Sequence, residues 1–180
     1  MYIVEIALGV VALLVVLIVA LGIYASTRPS AFRVSRSQFI AAPADAICPH
    51  IDSFKKWAAW SPYEKLDPAM KKEFSGAASG PGAVYAWEGN GKAGKGRMEI
   101  TSETAPTRIE MSLHFDRPFT CDNSVVFTLV PQGDMTEVTW AMHGPQPFMM
   151  KVMGIFMNMD RMVGKDFEIG LVNLKALAEK

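Results

Sequence analysis

Cysteine, histidine and net charge are what this chain has least of. The only cysteines, Cys48 and Cys121, lie far apart and match no metal-binding spacing. They read as two small apolar residues, with one long-range disulfide left as the alternative, which would need an oxidising compartment. His50, His114 and His143 are scattered, and no His-x-x-x-His pair is present, so no zinc site is expected. Lys and Arg number 18 and Asp and Glu number 18, so no basic surface marks a nucleic-acid partner. No Gly-x-Ser-x-Gly elbow occurs and Cys48 has no evident base, which argues against a nucleophilic hydrolase.

Charge is missing most sharply near the start. Ile6 to Ala25, IALGVVALLVVLIVALGIYA, is 20 residues without a charge. A helix of that length spans about 30 Å, the hydrocarbon thickness of a bilayer. Tyr2 and Tyr24 bracket it, where aromatic rings favour the interface. A cleaved signal peptide would carry a basic start and a shorter apolar core, whereas this start carries Glu5. Residues 1–25 therefore read as a retained single-pass anchor, with membrane contact through residues 6–25. Arg28, Arg33 and Arg36 follow the span and place the remainder on the cytoplasmic side.

Residues 26–31, STRPSA, form a short polar linker, and residues 32–180 have the pattern of a soluble domain. Phe32 to Ile40 is strand-like. Ala41 to Asp52 suggests a short helix, with Ile47 and Ile51 four apart and Pro49 limiting its regularity. Near-twofold periodicity then marks Met70–Phe74, Val84–Glu88, Arg97–Ser102, Arg108–Phe115, Ser124–Val130 and Glu137–His143, separated by turn-forming stretches. Arg108–Phe115 alternates most cleanly, with Ile109, Met111, Leu113 and Phe115 sharing a face. Short connections favour an antiparallel meander. From Pro147 to Glu179 the period becomes helical, as one helix or as two broken near Gly154 or Asn158. The fold class is α+β: a curved antiparallel sheet of about seven strands, covered by a long C-terminal helix.

The stretches RSQFIAAPADAI, WAAWSPYEKLDP, GAVYAWEGN, GRMEI, VTWAMHGPQPFM and MVGKDFEIGLVNLKALAE together resemble the START-like, Bet v 1-like superfamily (SRPBCC), often described as polyketide cyclase/dehydrase and lipid transport proteins. The resemblance covers Phe32 to Lys180. It implies a helix-grip fold enclosing an apolar cavity between sheet and terminal helix. One departure is Gln38, where relatives more often carry an aliphatic residue; an inward Gln38 needs a hydrogen-bond partner.

Gly89, Gly91 and Gly94 spell G-x-G-x-x-G, and Gly94-Lys95 nearly completes a Walker A loop. Both motifs need a following helix to hold phosphate, but GRMEITS alternates like a strand, so a hairpin turn is expected. Glu64, Glu88, Glu99 and Asp160 adjoin aromatic or methionine residues. An unpaired carboxylate among them would suit a cyclase- or dehydratase-like enzyme; ion pairing would make them structural. The positive signal is apolar. Trp57, Trp60, Tyr63, Tyr85, Trp87, Met98, Met111, Phe115, Trp140, Met142, Met153 and Met157 all fit the space between sheet and helix. Flexible methionines line surfaces that accept varied ligands, and they also fill irregular cores. Trp57, Trp60 and Tyr63 read as a closure over one end of that space. The leading expectation is a membrane-anchored domain that binds a hydrophobic small molecule or lipid and needs no cofactor. The alternatives are the carboxylate enzyme and a closed-core domain acting through protein partners at the membrane.

Overall fold

The computed structural model describes residues 2–156 and 158–180. The chain falls into two compact units, Met1–Phe32 with Gln146–Asn158, and Arg33–Pro145 with Met159–Lys180.

The first unit is built on α1 (Tyr2–Ser26), which contains an apolar stretch, Val4–Ser26, of 23 residues with mean hydropathy 3.2. That stretch is exposed along its apolar window and is long enough to cross a membrane. A second helix, α3 (Phe148–Phe156), packs beside its C-terminal end in the same unit.

The second unit holds the sheet. Its strands are β1 (Ala31–Ile40), β2 (Lys71–Gly76), β3 (Ala83–Glu88), β4 (Lys95–Thr104), β5 (Arg108–Arg117), β6 (Cys121–Gln132) and β7 (Met135–Pro145). Their order is β1-β7-β6-β5-β4-β3-β2, and every neighbouring pair from β2 to β7 is antiparallel. The meander follows from the short connections, and β1 closes against the last strand. Between β1 and β2 the chain forms α2 (Ala44–Ile51) and two 3₁₀ turns, Phe54–Ala59 and Pro62–Lys65. The long helix α4 (Met159–Ala178) completes the helix-grip arrangement and packs on β7, α2 and both 3₁₀ turns. The break between α3 and α4 falls beside Asn158.

The clean alternation of β5 is matched by its burial, with Ile109, Met111 and Leu113 inside. β6 extends three residues earlier than its apolar run, through Cys121, Asp122 and Asn123. Residues 89–94 are the turn of the β3–β4 hairpin, so the glycine-rich stretch holds no phosphate-binding helix. Gly94 has φ +68°, and a Cβ there would lie 2.5 Å from the Arg117 carbonyl oxygen, so only glycine fits. Gln38 is half-buried, and its amide donates to the Phe39 carbonyl at 3.3 Å.

Arg36 reaches from β1 to α4, where its guanidinium meets Asp160 at 3.1 Å and Glu168 at 2.8 Å. Both hydrogen bonds favour its charged form, while Asp160 is held below the ordinary carboxylate range by Arg36. Arg33 and Arg36 both lie on β1 in the folded domain, which leaves Arg28 as the basic residue nearest α1.

Candidate functional site

The inner face of the sheet divides into two regions of different chemistry. Beneath α4 lies an aromatic cluster. Trp140 on β7 stacks on Phe167 of α4, with ring centroids 4.1 Å apart and planes within 8°. It also stacks on its cross-strand partner Phe127 at 5.0 Å. Trp57 and Trp60, from the first 3₁₀ turn and its end, pack 4.9 Å apart and meet Trp140 edge-on at 6.1 and 5.4 Å. Tyr63 meets Trp140 edge-on at 6.1 Å. Burial of such rings and edge-to-face geometry both stabilise the cluster. Gly170 on α4 is required here, because a Cβ would lie 2.7 Å from the Trp140 ring. The broken stretch from Trp57 to Tyr63 is therefore the inner packing layer, with Trp57 and Trp60 buried and Tyr63 half-buried.

The second region lies toward β3–β6. Tyr85, Met98, Met111, Leu113 and Met142 are buried there, and Trp87 and Phe115 are half-buried. Trp87 and Phe115 meet edge-on at 5.6 Å. Three methionines give this half a flexible lining. Of the twelve apolar residues singled out in the sequence, ten share this sheet–helix interior across the two regions. Met153 lies on α3, 36% exposed, in the other unit, because the helix carrying it packs beside α1. Met157 falls outside the described residues.

Polar atoms in this interior are few, and some have no partner. Three of the four tryptophans donate to backbone carbonyls at 2.9 Å: Trp57 to Ile51, Trp60 to His50 and Trp87 to Ala93. The fourth, Trp140, is 2% exposed, and its Nε1–H meets no acceptor among the described residues. Asn123 on β6 is 8% exposed; its Nδ2 donates weakly to Cys121 Sγ at 3.6 Å, and its Oδ1 accepts from no group among the described residues. Ser61 Oγ is a third buried atom without a partner. Leaving such groups unpaired costs about 1–3 kcal/mol each, so native proteins rarely keep them without a reason. Asn123 sits opposite Gly144, and a Cβ at Gly144 would lie 2.1 Å from Asn123 Oδ1. Asn123 was hidden in the sequence by Asp122 and the preceding turn residues.

The four carboxylates named from the sequence are ion-paired. Glu64, half-buried with its side chain 7% exposed, accepts from Tyr85 Oη at 2.7 Å and pairs with Lys72. Glu88 pairs with Lys95 and Arg117, Glu99 with Arg97, and Asp160 with Arg36. Burial, with help from Glu64, pushes the Tyr85 hydroxyl up. Burial likewise raises Tyr63, and raises Asp166 on α4 above the ordinary carboxylate range. Nothing in the residue pattern singled out Asp166, which follows Lys165 on α4.

A second grouping was invisible in the sequence. Cys48 on α2, Asp52 at its end and Glu103 on β4 bring one ligand-capable atom each within 4.8 Å of one another. Cys48 donates to Glu103 at 3.5 Å, and burial pushes its thiol up to about 12. Both cysteines are free. Cys48 is therefore expected to resist alkylation at about pH 8, where the thiolate is the reactive form, while half-buried Cys121 reacts first. Peptide mass spectrometry after timed iodoacetamide treatment reads the order; equal rates would contradict it.

Against β2 and β3, a shallow cleft of about 150 Å³ is lined by Phe54, Lys55, Phe74–Ala78, Ala83 and Val84. It is smaller than the roughly 300 Å³ at which small-molecule pockets begin.

The curved sheet gripping a terminal helix over an apolar interior defines a helix-grip α+β domain. The chain belongs to the polyketide cyclase / dehydrase and lipid transport family, whose model matches residues 31–179. The family's description suggests a hydrophobic ligand. Among solved structures, a Thermobifida fusca protein matches at 21% identity and TM-score 0.61, over 81% of this chain and 92% of that one. A Chromobacterium violaceum protein matches at 16% and 0.57, over 85% and 99%. The Aha1 dimer of Colwellia psychrerythraea matches at 15% and 0.57, over 82% and 96%. At these identities the likeness is one of fold. No functionally curated protein matches in sequence.

Proposed function

We propose that this chain is a membrane-anchored binding domain for a hydrophobic small molecule or lipid. Residues 1–25 serve as the anchor, 26–31 as a linker and 32–180 as the binding domain, held on the cytoplasmic side. The ligand occupies the methionine-lined half of the sheet–helix interior, bordered by Tyr85, Trp87, Met98, Met111, Phe115 and Met142, with Trp57, Trp60, Tyr63 and Trp140 at its aromatic end. The observation that carries this reading is that two of the buried polar atoms without a partner among the described residues, Trp140 Nε1–H and Asn123 Oδ1, lie in a mostly apolar interior. A ligand with one acceptor and one donor on an apolar body satisfies both, as sparse polar groups orient ligands in apolar sites. Anchoring adds a concentration effect, because apolar molecules accumulate where the domain is held.

The test exposes the purified full chain, in detergent micelles, to a total lipid and metabolite extract. After washing, bound molecules are recovered with organic solvent and identified by mass spectrometry. The expected result is a specific apolar compound bearing a hydroxyl or carbonyl. Asn123→Leu, which removes one polar handle, is expected to retain about a tenth or less of it. Recovery of nothing above a matched detergent blank would refute the assignment.

A further inference from the structure

Helix α3 has a composition that water does not favour. Its sequence, FMMKVMGIF, carries one charge, Lys151, in nine residues. Met149, Met153 and Phe156 recur at i, i+4 and i+7, so they form one stripe, and they are 60%, 36% and 74% exposed. Phe148 is 53% exposed. Uncovered stripes of this kind mark an interaction surface.

The position of α3 identifies what covers the stripe. It belongs to the same compact unit as α1. The Phe148 ring lies 4.0 Å from where a Gly22 Cβ would be, Arg28 donates to the Gly154 carbonyl at 3.4 Å, and the Gln146 N–H donates to the Ser30 carbonyl at 2.8 Å. These contacts hold α3 and the residue pair before it against the C-terminal end of α1 and the residues just beyond it. Tyr24, under the Arg28 guanidinium at 5.6 Å, sits at that same level. Tyrosine and arginine at the end of an apolar span mark the membrane–water boundary.

We infer that α3 is an interfacial helix whose Met149–Met153–Phe156 stripe is buried in the lipid bilayer, at the boundary between headgroups and acyl chains. This rests on α1 being a membrane span. An apolar helix face lying in the interface plane gains the burial that water denies it, and Lys151 reaches the headgroups by its flexible stem. The chain thus has a second lipid contact, in the connection between β7 and α4.

The test uses the unmodified full chain in phosphatidylcholine/phosphatidylglycerol vesicles that contain a phospholipid with a diazirine on its acyl chain. After illumination, tagged peptides are mapped by mass spectrometry. Tags are expected on α1 and on 148–156. The double variant Met149→Glu, Phe156→Glu is expected to lower α3 tagging about tenfold while α1 tagging persists. Tagged α1 with untagged α3 would overturn this inference alone, as would α3–α3 crosslinks showing that a second copy covers the stripe. Untagged α1 would overturn the membrane-anchor reading and this inference together.

Discussion

Trp140→Ala is expected to lower the stability of the domain by about 3–5 kcal/mol, the range for truncating a fully buried large aromatic. Trp140 stacks on Phe127 and Phe167 and meets Trp57, Trp60 and Tyr63, so no single neighbour can relax into the space it leaves. Gly170 of α4 lies against its ring, where a Cβ would come within 2.7 Å. Urea denaturation of the full chain in mild detergent, followed by far-UV circular dichroism, measures the loss. Trp140→Phe separates structure from binding. It keeps an apolar ring and removes an N–H that meets no acceptor among the described residues, so its cost is about 1 kcal/mol. On the proposed ligand-binding reading, the same variant also removes a ligand contact. A loss below about 1 kcal/mol for Trp140→Ala would mean that the aromatic cluster does not hold sheet and helix together.

Removing α1 is the second large perturbation. The full chain is expected to stay in the membrane fraction after a carbonate wash. A chain beginning at Thr27 is expected to shift to the soluble fraction by about two orders of magnitude or more, given the summed insertion energy of so many Leu, Ile and Val residues. Vesicle binding left in the truncated chain is expected to be weak and insensitive to salt, because the α3 stripe is apolar. N-terminal sequencing of membrane-bound protein from cells distinguishes an anchor from a signal sequence. The anchor reading requires α1 to be retained; a mature chain starting near Ala25 would contradict it.

Alternation made the sheet legible wherever one face is buried and the other wet, as in Arg108–Phe115. It failed at the start of β6, where Asp122 and Asn123 suggest a turn but continue the strand and point Asn123 inward. The helical period of the C-terminus was clear, yet the break beside Asn158 could not be placed, because no proline marks it. The candidate site was legible as an inventory and not as an arrangement. Trp57 meets Phe127, Trp140 meets Phe167, and Cys48 meets Glu103, and each pairing joins segments distant along the chain. Local periodicity carries no record of such partners. It therefore could not separate the aromatic cluster under α4 from the methionine-lined half beside it. Nor could it show that Trp140 alone among the tryptophans lacks an acceptor, since that depends on where backbone carbonyls fall.

The ¹⁵N indole spectrum of the full chain, recorded before and after loading with the lipid and metabolite extract, tests ligand binding at Trp140 most directly. It holds four indole N–H signals, three from groups that already donate to carbonyls. Loading is expected to move the Trp140 signal downfield, as its proton gains an acceptor, and to leave the Trp57 and Trp60 signals nearly in place. Four unmoved signals, with nothing extractable from the washed protein, would contradict the ligand-binding account.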